Sequence, residues 1–136
     1  MLSNLQRLQA LIEDGQLITS ALIGSPVAPA LLLNARDAPE FEREWLRVDR
    51  VLAKLNNSVE PPEVTAIRKA AYLKTFEVAQ EPEFAACVSE DFGLIAAALA
   101  IDYSDPWLTG HWLSYRAGVF PGSKINLSTE KLQATI

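Results

Sequence analysis

The chain has 136 residues, of which 49% are hydrophobic and 21% charged, enough for one domain that buries roughly two-thirds of its unfolded surface. That balance excludes a disordered tail and a collagen-like repeat. The lone cysteine, Cys87, excludes an internal disulfide framework and four-cysteine zinc sites. A net charge of −5 disfavours broad electrostatic capture of nucleic acid.

Met1 to Leu11 lacks a cationic start followed by an apolar run, so no secretory signal is expected and the expected compartment is the cytoplasm. The longest apolar stretch, Phe92 to Ile101, falls far short of the roughly 20 residues of a membrane span.

Helical signals then follow one another along the chain. Ser3 and Gln6 read as a capping box, with Leu5, Leu8 and Ile12 on one face and Ile18 and Leu22 able to extend it. Asp14-Gly15 marks a break inside that segment and Gly24-Ser25-Pro26 its end, after which Pro29 opens a short helix to Ala35. Asp37 and Glu40 resemble a second capping box, with Pro39 in the first turn. Phe41, Trp45, Val48, Leu52 and Leu55 then recur every three or four residues, the clearest amphipathic stripe in the chain. Asn56-Asn57-Ser58 stops it.

Pro61-Pro62 opens a helix from Glu63 to about Gln80, with Val64, Ile67, Ala71 and Phe76 among its apolar positions. Pro82 begins another, in which Ser89 with Glu90 and Asp91 reads as an internal cap before Phe92, Ile95 and Leu99. Asp105-Pro106 caps a helix to Ala117, and Gly118 suits its left-handed end. Beyond Pro121-Gly122 the chain is more polar; Ser128 can cap a last short helix stapled by Leu127 and Leu132. The fold expected is all-α, a compact bundle of about five or six helices, with 1–121 as one helical domain and 122–136 as a polar C-terminal tail.

Charge is unevenly placed. Residues 1–76 carry nine acids and nine Lys/Arg, whereas 77–136 carry eight acids and three, with no cation between Lys74 and Arg116. First-turn acids and a solvated face account for this blandly; an acidic surface from Glu77 to Asp105 that recruits a basic partner or a divalent cation is the functional reading. Arg43, Arg47, Arg50 and Lys54 form a cationic ridge opposite the apolar stripe, pairing with Glu40 and Glu44. It reads either as a solubilising face or as a docking ridge for an acidic surface, a second copy included.

Trp107, His111, Trp112 and Tyr115 share one helix side, while Gly110 and Ser114 leave the opposite side small enough for another backbone to approach. That aromatic side is either core or a partner surface. His111, the single histidine, has no acid at metal-ligand spacing, so no metal site is expected. Cys87 sits among Phe84, Ala85, Ala86 and Val88, a setting that raises a thiol's pKa and suits a small buried hydrophobe. No nucleophile elbow, phosphate loop or dinucleotide fingerprint is present.

No catalytic residue and no cofactor are therefore assigned. The sequence points to an adaptor, regulator or structural partner that binds a protein or itself, without nucleic acid or membrane. It would use Trp107, His111, Trp112 and Tyr115, the acids around Asp102 and Asp105, and the ridge of Arg43, Arg47, Arg50 and Lys54. The rival reading is a small-molecule pocket or enzyme between helices, with His111 polarised by Asp102 or Asp105.

Overall fold

The computed structural model describes residues 1–24, 28–122 and 124–136, and the described residues form seven α-helices and one 3-10 turn with no strand. The helices are α1 (Asn4–Glu13), α2 (Ser20–Ile23), α3 (Ala28–Arg36), α4 (Pro39–Leu55), α5 (Pro62–Ala79), α6 (Pro82–Ala100) and α7 (Pro106–Arg116). The fold is all-α as expected, and the count exceeds six because Ser20–Ile23 forms a helix of its own instead of extending α1. Ser25 and Pro26 of the anticipated turn lie outside the described residues.

Helix starts follow local chemistry. At α1 the Ser3 Oγ accepts from the Gln6 N–H at 3.1 Å while Gln6 Oε1 accepts from the Ser3 N–H at 2.8 Å, the reciprocal capping box. Asp14 caps the other end and Gly15 turns away at φ +74°, so Ile18 and Leu22 reach the core from separate backbone rather than by extending α1.

The expected Asp37–Glu40 box does not form. Ala38 is the N-cap of α4, extended at φ −61°, ψ 131°, with Pro39 at N1. An Asp37 cap would need Ala38 in helical conformation immediately before a proline, which the proline ring disfavours.

Residue Ser89 is not a cap either, because α6 runs unbroken from Pro82 to Ala100. Its Oγ instead donates to the Arg68 carbonyl at 2.8 Å, tying α6 to α5, the most closely packed helix pair. Most of α6 is buried, with Phe84, Val88, Phe92 and Ile95 fully enclosed, while α1 packs chiefly on α5. Leu55, 57% exposed, and Phe76, 41% exposed, fall outside the core.

The last segment lies back over α7. Gly110 makes room for it: a Cβ there would stand 1.9 Å from the Asn126 carbonyl oxygen. The small side of α7 is thus occupied by the chain's own backbone. Ser128 N–H donates to the Pro106 carbonyl, Leu132 N–H to Ser104 Oγ and Gln133 Nε2 to the Tyr103 carbonyl. Leu132 is completely buried at the head of a 3-10 turn, Leu132–Thr135. The expected Ser128-capped helix and its Leu127–Leu132 staple are replaced by this turn, since Leu127 is 70% exposed.

Candidate functional site

Asp91 is the chemical centre of the interior. It belongs to the row Phe84, Val88, Asp91, Ile95 on the buried side of α6 and has no exposed surface. Arg36 at the end of α3 grips it with two bonds, Nη1 to Oδ2 at 2.9 Å and Nη2 to Oδ1 at 2.8 Å. Trp45 on α4 donates its Nε1–H to Oδ1 at 3.0 Å, and Tyr115 on α7 donates its hydroxyl to Oδ2 at 2.5 Å. His111 Nε2 stands 3.3 Å from Oδ1 but off the direction that a hydrogen bond needs.

Four donors occupy the roughly four lone-pair sites of one carboxylate. Burial pushes the Asp91 carboxyl up, but His111 and Arg36 beside it more than offset that and hold it well below the usual carboxylate range. Burial, helped by the neighbouring Asp91 charge, pushes the Tyr115 hydroxyl well above its ordinary value. Arg36 also lies over the Phe41 ring at 4.0 Å and the Phe120 ring at 4.9 Å. Saturated on every side, Asp91 has no lone pair free to take a proton from a substrate. The arrangement clamps α3, α4, α6 and α7 together.

The aromatic side of α7 is interior. Trp107 is 5% exposed, and His111, Trp112 and Tyr115 are fully enclosed, so these four give a partner no surface. His111 stacks on Trp107 at 5.0 Å and packs against Phe41 and Tyr115. The carboxylate facing His111 is Asp91, not Asp102 or Asp105. Asp102 is exposed in a left-handed turn at φ 56°. Asp105 caps α7, accepting from the N–H groups of Trp107 and Leu108 at 3.0 and 3.1 Å, and forms a two-bond pair with Arg47.

The cationic ridge is correspondingly uneven. Arg47 is held by Asp105 at 2.9 Å and by Glu44 at 2.5 Å, while Arg43, Arg50 and Lys54 are exposed and join no ion pair among the described residues. The acidic stretch 77–105 also divides. Asp91 and Asp105 turn inward, and Glu77, Glu83, Glu90 and Asp102 remain at the surface.

Among the described residues, two of the clefts that open to the surface have neither His111, Asp102 nor Asp105 in their lining. The first, about 620 Å³, lies between α3, α4 and α6, with Arg36, Phe41, Trp45 and Cys87 among its lining. The second, about 450 Å³, lies between α4 and α6 with the α4–α5 connection at its edge; Trp45 and Glu90 line both. Burial pushes the Cys87 thiol up to about 12, which leaves it almost wholly protonated at neutral pH and a poor nucleophile. No group of three or more metal-ligating side chains converges among the described residues, and none of the helices described is long and apolar enough to cross a membrane.

Sequence reasoning passed over Asp91, Arg36 and Trp45 as site residues. One signal was available: an acid in register with Phe84, Val88 and Ile95, where a solvated charge does not belong.

A family model described as immunity protein PIM1 matches residues 7–122 of the chain. No curated protein and no solved structure matches it.

Proposed function

The chain belongs to the immunity protein PIM1 family, and from that membership we propose that it binds a toxin protein and holds it inactive by occupancy, without chemistry of its own. The observation that carries the reading is the family match, which runs from within α1 to beyond α7. The interior is consistent with it. Asp91 takes donors from α3, α4 and α7, and the thiol beside it is held protonated, so neither is poised to act as a base or a nucleophile.

The acidic total supports a partner of opposite charge, since complementary fields speed encounter and suppress wrong pairings. The test is protection. A toxin encoded beside the chain's own gene is expected to arrest growth of an expression host, and co-production of this chain is expected to restore growth. The two purified proteins should elute as one species. Continued arrest, with the proteins eluting separately, contradicts the reading.

A further inference from the structure

The geometry points to the groove formed by the two clefts along α4 and α6 as the toxin-docking surface, its occupant a basic segment of the toxin that seats an apolar side chain against Trp45. The inference rests on the reading of the chain as an immunity protein and adds the place and chemistry of the contact.

Continuity is the first observation. Trp45 and Glu90 line both clefts, so the two are halves of one depression with the indole between them. Trp45 is only partly buried, yet its Nε1 is fixed on the enclosed Asp91. Such a ring is pre-organised: it offers a large apolar area without further loss of rotamer freedom on binding, the property of a residue that dominates an interface. Leu33, Leu46 and Leu94 add apolar wall on either side of it.

Charge supplies the occupant. Asp37, Glu42 and Glu83 line the first cleft, Asp49 the second and Glu90 both. None of these five joins an ion pair among the described residues, whereas the two cations of the lining are engaged, Arg36 by Asp91 and Arg68 by Glu60. A groove lined by both apolar side chains and unpaired carboxylates, with no free cation among its described residues, matches lysine or arginine side chains flanking an apolar one. A second copy could meet these acids only with its ridge of Arg43, Arg50 and Lys54, and two chains of net charge −5 repel as they approach. The exposed cations Arg43, Arg50 and Lys54 are also carried on α4, but none of them lines either cleft.

The test measures affinity for the toxin encoded beside the gene, using the wild-type chain, Glu42→Lys/Glu90→Lys in the groove, and Asp14→Lys/Glu130→Lys, which makes the same charge change at exposed sites outside it. The groove variant is expected to bind on the order of tenfold or more weakly and the outside variant near wild type. Equal weakening of both, or neither, overturns the groove while leaving the immunity reading intact. A wild-type chain that does not bind the toxin overturns the immunity reading, and the groove with it.

A second measurement needs no substitution. Cys87, the lone thiol, lines the first cleft, and its alkylation by iodoacetamide at pH 9 is followed by mass. Bound toxin is expected to slow alkylation at least about fivefold. An unchanged rate in the fully formed complex overturns the proposal.

Discussion

Asp91 decides more than any other single residue. Its removal would leave the Arg36 guanidinium, nine-tenths buried, without a counter-charge, and breaking a buried pair from one side costs about 3–5 kcal/mol. Asp91→Asn is therefore expected to lower the melting temperature by roughly 10 °C or more, whereas Asp102→Asn, at an exposed position, should change it little. Thermal unfolding followed by circular dichroism checks both. The pH dependence follows in sign. A carboxyl held low in the folded state contributes stability that is fully present above the ordinary aspartate value of about 3.9, begins to fall below it, and is gone once pH has passed below the depressed folded-state value. The Asp91 contribution should be constant near neutrality and fall away below about pH 4. Asp91→Asn should flatten that acid limb, and an unaltered limb would contradict the assignment of the charge to Asp91.

The elements show what could be read from residue order and what could not. Capping at α1 and α7 was legible, because a serine or aspartate acts on N–H groups within three residues of itself. The stripe of α4 was legible in part: Phe41, Val48 and Leu52 are buried. The stripe places Trp45 in that core but carries no sign of its second role, because its partner Asp91 is 46 residues away and helix order alone does not pair distant side chains. For the same reason the aromatic side of α7 left core and surface open, and packing made it core.

The C-terminal segment illustrates the limit from the other side. Its sequence marks Leu132 as a local staple against Leu127 rather than as a residue that closes the core, although the small Gly110 does signal a close backbone approach. Gly110→Ala places a methyl group into the Asn126 carbonyl and is expected to cost about 1–3 kcal/mol by overpacking. Leu132→Ala should cost about 2–5 kcal/mol by opening a cavity. Denaturant titration at constant m-value reads both, and a cost below about 0.5 kcal/mol, the range of ordinary surface changes, would show that the segment is not packed as described.

Across the whole molecule, a buried side that is electrically matched and a surface that is not sit in one chain. Asp91 and Asp105 are answered by Arg36 and Arg47, so the unbalanced acids lie outside, where a partner meets them. Exposed charges of this kind act mainly on the rate of encounter, and association with the toxin is expected to slow as salt rises while dissociation changes little. Stopped-flow binding at two ionic strengths tests this. Reversal of Arg43 and Arg50 is a cleaner probe of the cationic ridge than any change at Arg47, whose loss would also undo the Asp105 pair.

The central claim is neutralisation by occupancy, and titrating the purified toxin's own activity with this chain tests it most directly. Activity should fall linearly and reach its floor at one equivalent. Loss of activity at a small fraction of an equivalent would mean that the chain turns over and is an enzyme, and activity unchanged at several equivalents would mean that it does not act on this toxin.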